Sequence, residues 1–163
     1  MIGKIKRKEL IRRRCLRAYS LVELAVAIVI LGLLFSMVRP VYLYYIDTAK
    51  SDSAADELQE IADKIDQYYK DHGAFPDSLD QVISPPPVDP WGSPYQYLRI
   101  DGGAGPGLGM QRKDKNLVPI NSDYDLYSSG PDRKSASPLT AKISQDDIVR
   151  GRNGAFIGYA TDY

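Results

Sequence analysis

Residues 19–38 constrain this chain more than any other stretch. They read Tyr-Ser-Leu-Val-Glu-Leu-Ala-Val-Ala-Ile-Val-Ile-Leu-Gly-Leu-Leu-Phe-Ser-Met-Val, apolar almost throughout, with one carboxylate at Glu23. A helix rises about 1.5 Å per residue, so such a segment matches the roughly 30 Å hydrocarbon core of a bilayer. A charge inside it is costly and reads as functional, in need of a partner. The bland alternative is a glutamate near the membrane surface that snorkels outward.

Charge supports the membrane reading. The 163 residues carry 21 basic and 21 acidic side chains, a net charge of zero. Residues 1–18 hold eight of the Lys and Arg against Glu9 alone, which leaves 13 basic and 20 acidic residues beyond them. A basic block before an apolar segment keeps its terminus in the cytoplasm. The acidic remainder argues against nucleic acid as a partner. An ordinary secretory signal fits less well. The apolar run is long, Ser36-Met37-Val38-Arg39-Pro40 makes a poor cleavage site, and the small residue Ala18 stands before the run instead of after it. The only cysteine, Cys15, excludes an intrachain disulfide, and the arginines before it do not suit a lipoprotein signal.

Helical periodicity continues past the apolar run. Val41, Tyr44, Tyr45, Thr48, Ala55, Leu58, Ala62, Ile65 and Tyr69 recur at three- and four-residue steps and predict one apolar face. The expected helix spans residues 19–71, disturbed at Pro40 and capped by Gly73. Residues 77–82 predict a short helix capped by Asp77 or Ser78, and the prolines of 84–90 require extended chain. Trp91-Gly92-Ser93-Pro94 predicts a turn, residues 95–100, 124–128 and 155–159 predict strands, and Asn153-Gly154 predicts a hairpin turn. The Gly-rich stretch 102–109 predicts a flexible loop; it lacks the Lys-Ser/Thr ending of a phosphate loop. So small a sheet needs the helix to complete a core, which makes the fold α+β.

Several of these residues carry a resemblance. Arg17-Ala18-Tyr19-Ser20-Leu21-Val22-Glu23 resembles the processing site of type IV pilins and type II secretion pseudopilins. The resemblance implies that a prepilin peptidase cuts between Ala18 and Tyr19 and methylates the new amine of Tyr19. Pro40 falls where that family carries its helix-disturbing proline. Ala18 departs from the usual Gly, and Tyr19 from the commoner Phe. Asp89-Pro-Trp-Gly-Ser-Pro-Tyr-Gln-Tyr97 and Tyr124-Asp-Leu-Tyr-Ser-Ser-Gly-Pro-Asp132 are similar to the major pseudopilin of type II secretion. That likeness implies a pilin-like fold in four parts: a leader at 1–18, a membrane and assembly helix at 19–40, an amphipathic helix at 41–73 and a globular head at 74–163.

The same likeness implies a calcium-binding loop after the second strand. Asp132, Asp146 and Asp147 are its candidate ligands, since calcium takes six to eight oxygens. Their spacing alone reads sooner as solvated loop acids, because it is not that of an EF-hand. The loop also departs from the family, lacking a Gly-rich run after Asp132 and a tryptophan at its close. Glu23 is the candidate assembly residue, pairing with the N-terminal amine of a neighbouring Tyr19, and Pro40 belongs to the same helix. The expected protein is structural: a single-pass inner-membrane precursor with its head in the periplasm. It then polymerises with itself and with other pseudopilins on an inner-membrane secretion platform. A surface type IV pilin for adhesion, motility or DNA uptake is the alternative, disfavoured by the lack of a C-terminal cysteine pair. A membrane-anchored periplasmic enzyme or binding module ranks lower. His72 at a helix end and Trp91 in a proline-rich turn read as structural, and no nucleophile–base or nucleotide motif is present.

Overall fold

The computed structural model describes residues 19–101, 107 and 109–163. The leader with Cys15 and Ala18, and most of the Gly-rich stretch, lie outside the described residues. The chain divides into two units, 1–41 and 42–163.

Helix α1 runs from Leu21 to His72 with Pro40 inside it. Its first part is long and apolar enough to cross a membrane. Leu21, Val22, Phe35 and Met37 are among the many apolar side chains exposed there. Beyond residue 50 the helix is supported by i,i+4 pairs along its solvent side: Gln59 with Asp63 (2.9 Å), Glu60 with Lys64 (2.7 Å) and Gln67 with Asp71 (2.9 Å). It ends where expected. Gly73 adopts φ of +72°, and its amide donates to the Tyr69 carbonyl at 2.8 Å.

Four strands follow: β1 (Gln96–Arg99), β2 (Tyr124–Ser128), β3 (Ile148–Gly151) and β4 (Phe156–Tyr159). They form one antiparallel sheet in the order β1-β2-β3-β4. β3 is not foreseen in the sequence reading. Asn153-Gly154 does turn the chain between β3 and β4, with left-handed φ at Arg152, Asn153 and Gly154. The short helix expected near residue 79 is a single 3-10 turn, Leu79–Gln81, with Ser78 at its N-cap but no side-chain cap bond. Asp77 instead pairs with Arg99 at 2.8 Å.

Side chains alternate across a strand, so the sheet has two faces. Tyr124 and Leu126 of β2 and Ile148 of β3 pack with Leu58, Ile61 and Ile65 of α1, and with Leu79, Trp91 and Tyr95. Fully burying each aliphatic side chain contributes about 1.5–3 kcal/mol. The buried helix stripe is Ser51, Ala54, Leu58, Ile61, Ala62 and Ile65. It is rotated slightly from the expected face: Ala54 and Ile61 join it, while Val41, Tyr44 and Tyr45 are exposed. The opposite sheet face buries a second cluster of Ile120, Leu139, Val149 and Ala160, with Tyr127, Phe156 and Tyr163 against it. Coil segments thus cover the face that the helix leaves open.

Hydrogen bonds tie the head to the helix. Tyr159 donates to Ser51 Oγ at 2.6 Å, and Tyr95 donates to Glu57 Oε2 at 2.7 Å.

Candidate functional site

The first candidate site is the opening turn of α1. Ser20 precedes the helix, and its Oγ accepts the Glu23 amide at 3.2 Å while its carbonyl accepts the Leu24 amide at 3.1 Å. Ser20-Leu21-Val22-Glu23 therefore has the spacing of a capping box, with Glu23 at its third helical position. An anion in the first turn is also favoured by the helix dipole. Glu23 is exposed, as is Tyr19 at 81%. No described side chain of this chain pairs with the Glu23 carboxylate. The cap role of Ser20 was readable in the sequence from that four-residue signature.

The second candidate site is the loop after β2, and it starts from a buried aspartate. Asp89 is 4% exposed. Its Oδ1 accepts the amides of Trp91 (3.1 Å) and Ser93 (2.8 Å), and its Oδ2 accepts the Ser128 hydroxyl at 2.5 Å. Gly92, at φ of +86°, lets the turn close around it. One carboxylate thereby locks the Trp-Gly-Ser-Pro turn to the end of β2. Ser128 Oγ then accepts the Gly130 amide at 3.1 Å, which launches the loop.

The three aspartates of the loop have different partners. The Asp132 amide donates to Asp146 Oδ2 at 3.3 Å, and Asp132 Oδ1 accepts the Lys134 amide at 2.7 Å. Asp132 and Asp146 line an open cavity of about 640 Å³ with Tyr44, Thr48, Lys142 and Asp162. Asp147 does not line it. That residue is fully buried, and its Oδ2 accepts from Arg112 Nη2 at 2.6 Å and from Ser135 Oγ at 2.5 Å. Burial pushes the Asp147 carboxyl up to about 6, against the lowering pull of Ser135 and Arg112. Asp125, the other buried acid on this face, is also raised by burial; it accepts the Arg112 amide at 2.7 Å and Asn121 Nδ2 at 3.0 Å.

The three candidate calcium ligands therefore do not come together as one set. Two face the cavity, and the third is neutralised by a guanidinium. Among the described residues, no group of three or more His, Cys, Asp or Glu side chains is arranged to hold a metal ion. Arg112 is the residue that sequence reasoning missed. It lies in an irregular stretch between β1 and β2, where no periodicity marks it as buried.

A long helix with an unpartnered apolar first half, a capped glutamate in its first turn and a small antiparallel head define a pilin-like protein. No protein-family model matches the chain, and no solved structure matches it. Curated relatives do. Type II secretion system core protein G of Pseudomonas aeruginosa is 32% identical, covering 76% of this chain and 89% of the relative. The protein of that name from Xanthomonas campestris pv. campestris is 30% identical over 65% of this chain and 83% of its own. The one from Escherichia coli K12 is 26% identical over 82% and 89%. The chain belongs to the type II secretion system core protein G family, the major pseudopilins.

Proposed function

We propose that this chain is the main structural subunit of a type II secretion pseudopilus, with no catalytic step of its own. The observation that carries the reading is the first half of α1, apolar, exposed and carrying in its first turn one carboxylate, that of Glu23, whose backbone amide is capped by Ser20. A helix apolar all round is stable only in lipid or in contact with other helices. Membership of the core protein G family supports the second setting as its destination.

In this reading a prepilin peptidase cuts between Ala18 and Tyr19 and methylates the Tyr19 amine. The subunit waits as a single-pass inner-membrane protein, with the basic leader in the cytoplasm and the head in the periplasm. It then leaves the bilayer by packing residues 19–71 against copies of itself and other pseudopilins on the secretion platform. Repetition of one head-to-tail contact gives an open filament. Glu23 sets the axial offset between subunits by pairing with the Tyr19 amine of a neighbour. Either charge alone in an apolar bundle costs several kcal/mol, so subunits displaced along the axis are rejected.

The test is Glu23→Ala. Its Ser20 cap is retained, so membrane insertion and removal of the leader should match wild type by immunoblot. Filaments counted by electron microscopy after overproduction should be lost. Filaments at wild-type number from this variant would refute the pairing role of Glu23.

A further inference from the structure

The stretch between Ser128 and Ile148 contains one 3-10 turn and no strand, so its two limbs must be held together by something other than a ladder. Ser144 Oγ accepts the amide of Ala136 (2.7 Å) and donates to its carbonyl (2.9 Å) across them, Ser135 Oγ donates directly to Asp147 Oδ2 at 2.5 Å, and the buried cation among these contacts is Arg112. Arg112 is 2% exposed. Its Nη1 donates to Ser135 Oγ at 2.5 Å and to the Ala136 carbonyl at 2.6 Å, both on the outgoing limb. Its Nη2 donates to Asp147 Oδ2 at 2.6 Å on the returning limb. The guanidinium also lies over the Tyr127 ring, 4.2 Å from its centre, which fixes it to β2. Its backbone is anchored as well: the amide donates to Asp125 at 2.7 Å and the carbonyl accepts from Ile120 at 3.1 Å.

We infer that Arg112 is a built-in cation that closes this loop, so that the head folds without a divalent metal. A guanidinium suits the task. Its planar fork offers five donors, so one group can serve a carboxylate, a hydroxyl and a carbonyl on two limbs at once. The charge of Asp147 is already balanced, and a divalent ion drawn to that carboxylate would sit beside the guanidinium as a like charge. Asp147 Oδ1 is the one oxygen of the pair without a hydrogen-bond partner, and is the atom a metal would have to take. The carboxylates of Asp132 and Asp146 face the cavity instead, beside the ammonium-bearing Lys142. This closure is a property of the head alone, independent of filament assembly.

The experiment is thermal unfolding of the detergent-solubilised full chain, followed by circular dichroism, with millimolar calcium chloride and with excess EGTA. The two midpoints should agree within about 1 °C, because a ligand that binds only the native state must raise the midpoint. A calcium-dependent rise of more than about 4 °C, reversed by EGTA, overturns the inference. Arg112→Met and Asp147→Leu singly should each lower the midpoint by roughly 10–20 °C, since each strands a buried group of the pair. The double variant, apolar on both sides, should recover at least half of either loss. Single variants that melt like wild type, or a double variant that melts as low as the two losses added, also overturn it. The wild-type comparison stands even where a single variant does not fold.

Discussion

At the scale of single residues, Gly130 shows how tightly the loop after β2 is built. It holds φ of +63°, and a Cβ there would collide with the backbone carbonyl of Asp146. The neighbour is backbone, so it has no rotamer through which to withdraw. Left-handed geometry costs a side chain about 1–2 kcal/mol before any collision. Gly130→Ala is therefore expected to lose at least about 2 kcal/mol, or roughly 5–10 °C in Tm. Thermal unfolding checks this, and a shift under about 2 °C would mean the loop can move away. Glu23 is the opposite kind of residue. Its geometry is undemanding, its side chain exposed, and its expected effect falls on assembly alone.

At the scale of elements, Asp89 joins a turn to a strand. Asp89→Ala would leave the amides of Trp91 and Ser93 and the hydroxyl of Ser128 without their acceptor. A loss of about 2–4 kcal/mol is expected in urea unfolding, with the m value unchanged. A loss below about 0.5 kcal/mol would show that the turn is held by its prolines alone. The element scale is also where sequence and structure part. The helix was legible because its period and its terminal glycine are local signals. The turn at 91–94 was legible from its Gly and Pro. β3 was not: Ile148-Val149-Arg150-Gly151 is buried on both faces, so it shows no alternation. Its arginine reads as surface until Asp123 is seen 2.7 Å from it and the Tyr124 ring 3.9 Å beneath it. Arg112 was hidden for the same reason. A buried cation is defined by partners distant in sequence, here Ser135, Ala136 and Asp147, and no window along the chain contains them all. The three loop acids looked equivalent as letters. Only the fold separates the two at the cavity from the one buried against Arg112.

At the scale of the whole molecule, the chain combines two units with different solvent requirements. Residues 19–41 expose apolar side chains in all directions, and residues 42–163 bury two clusters around one sheet. A fragment beginning at Tyr42 is expected to remain monomeric without detergent and to keep the cooperative unfolding of the head. The full chain is expected to need detergent. Size-exclusion chromatography with light scattering distinguishes these outcomes, and an aggregated fragment would mean that the head depends on the segment before it. The second cluster, on the sheet's outer face, was not legible in the sequence. Its members come from coil, β3 and the turn after β4.

The hydrogen bond between Tyr159 and Ser51 spans 108 residues. Ser51 lies on the helix shortly after the apolar run, and Tyr159 ends the last strand. A ribosome or translocation channel releases residues in order, so this joint stays open while nearly all of the head is already outside. Closing so long a stretch is slow, because its entropy is lost before the contact repays it. The head thus carries an order of events in its wiring: the helix that holds Ser51 is complete first, and completion of the fold waits for Tyr159 of the last strand to arrive.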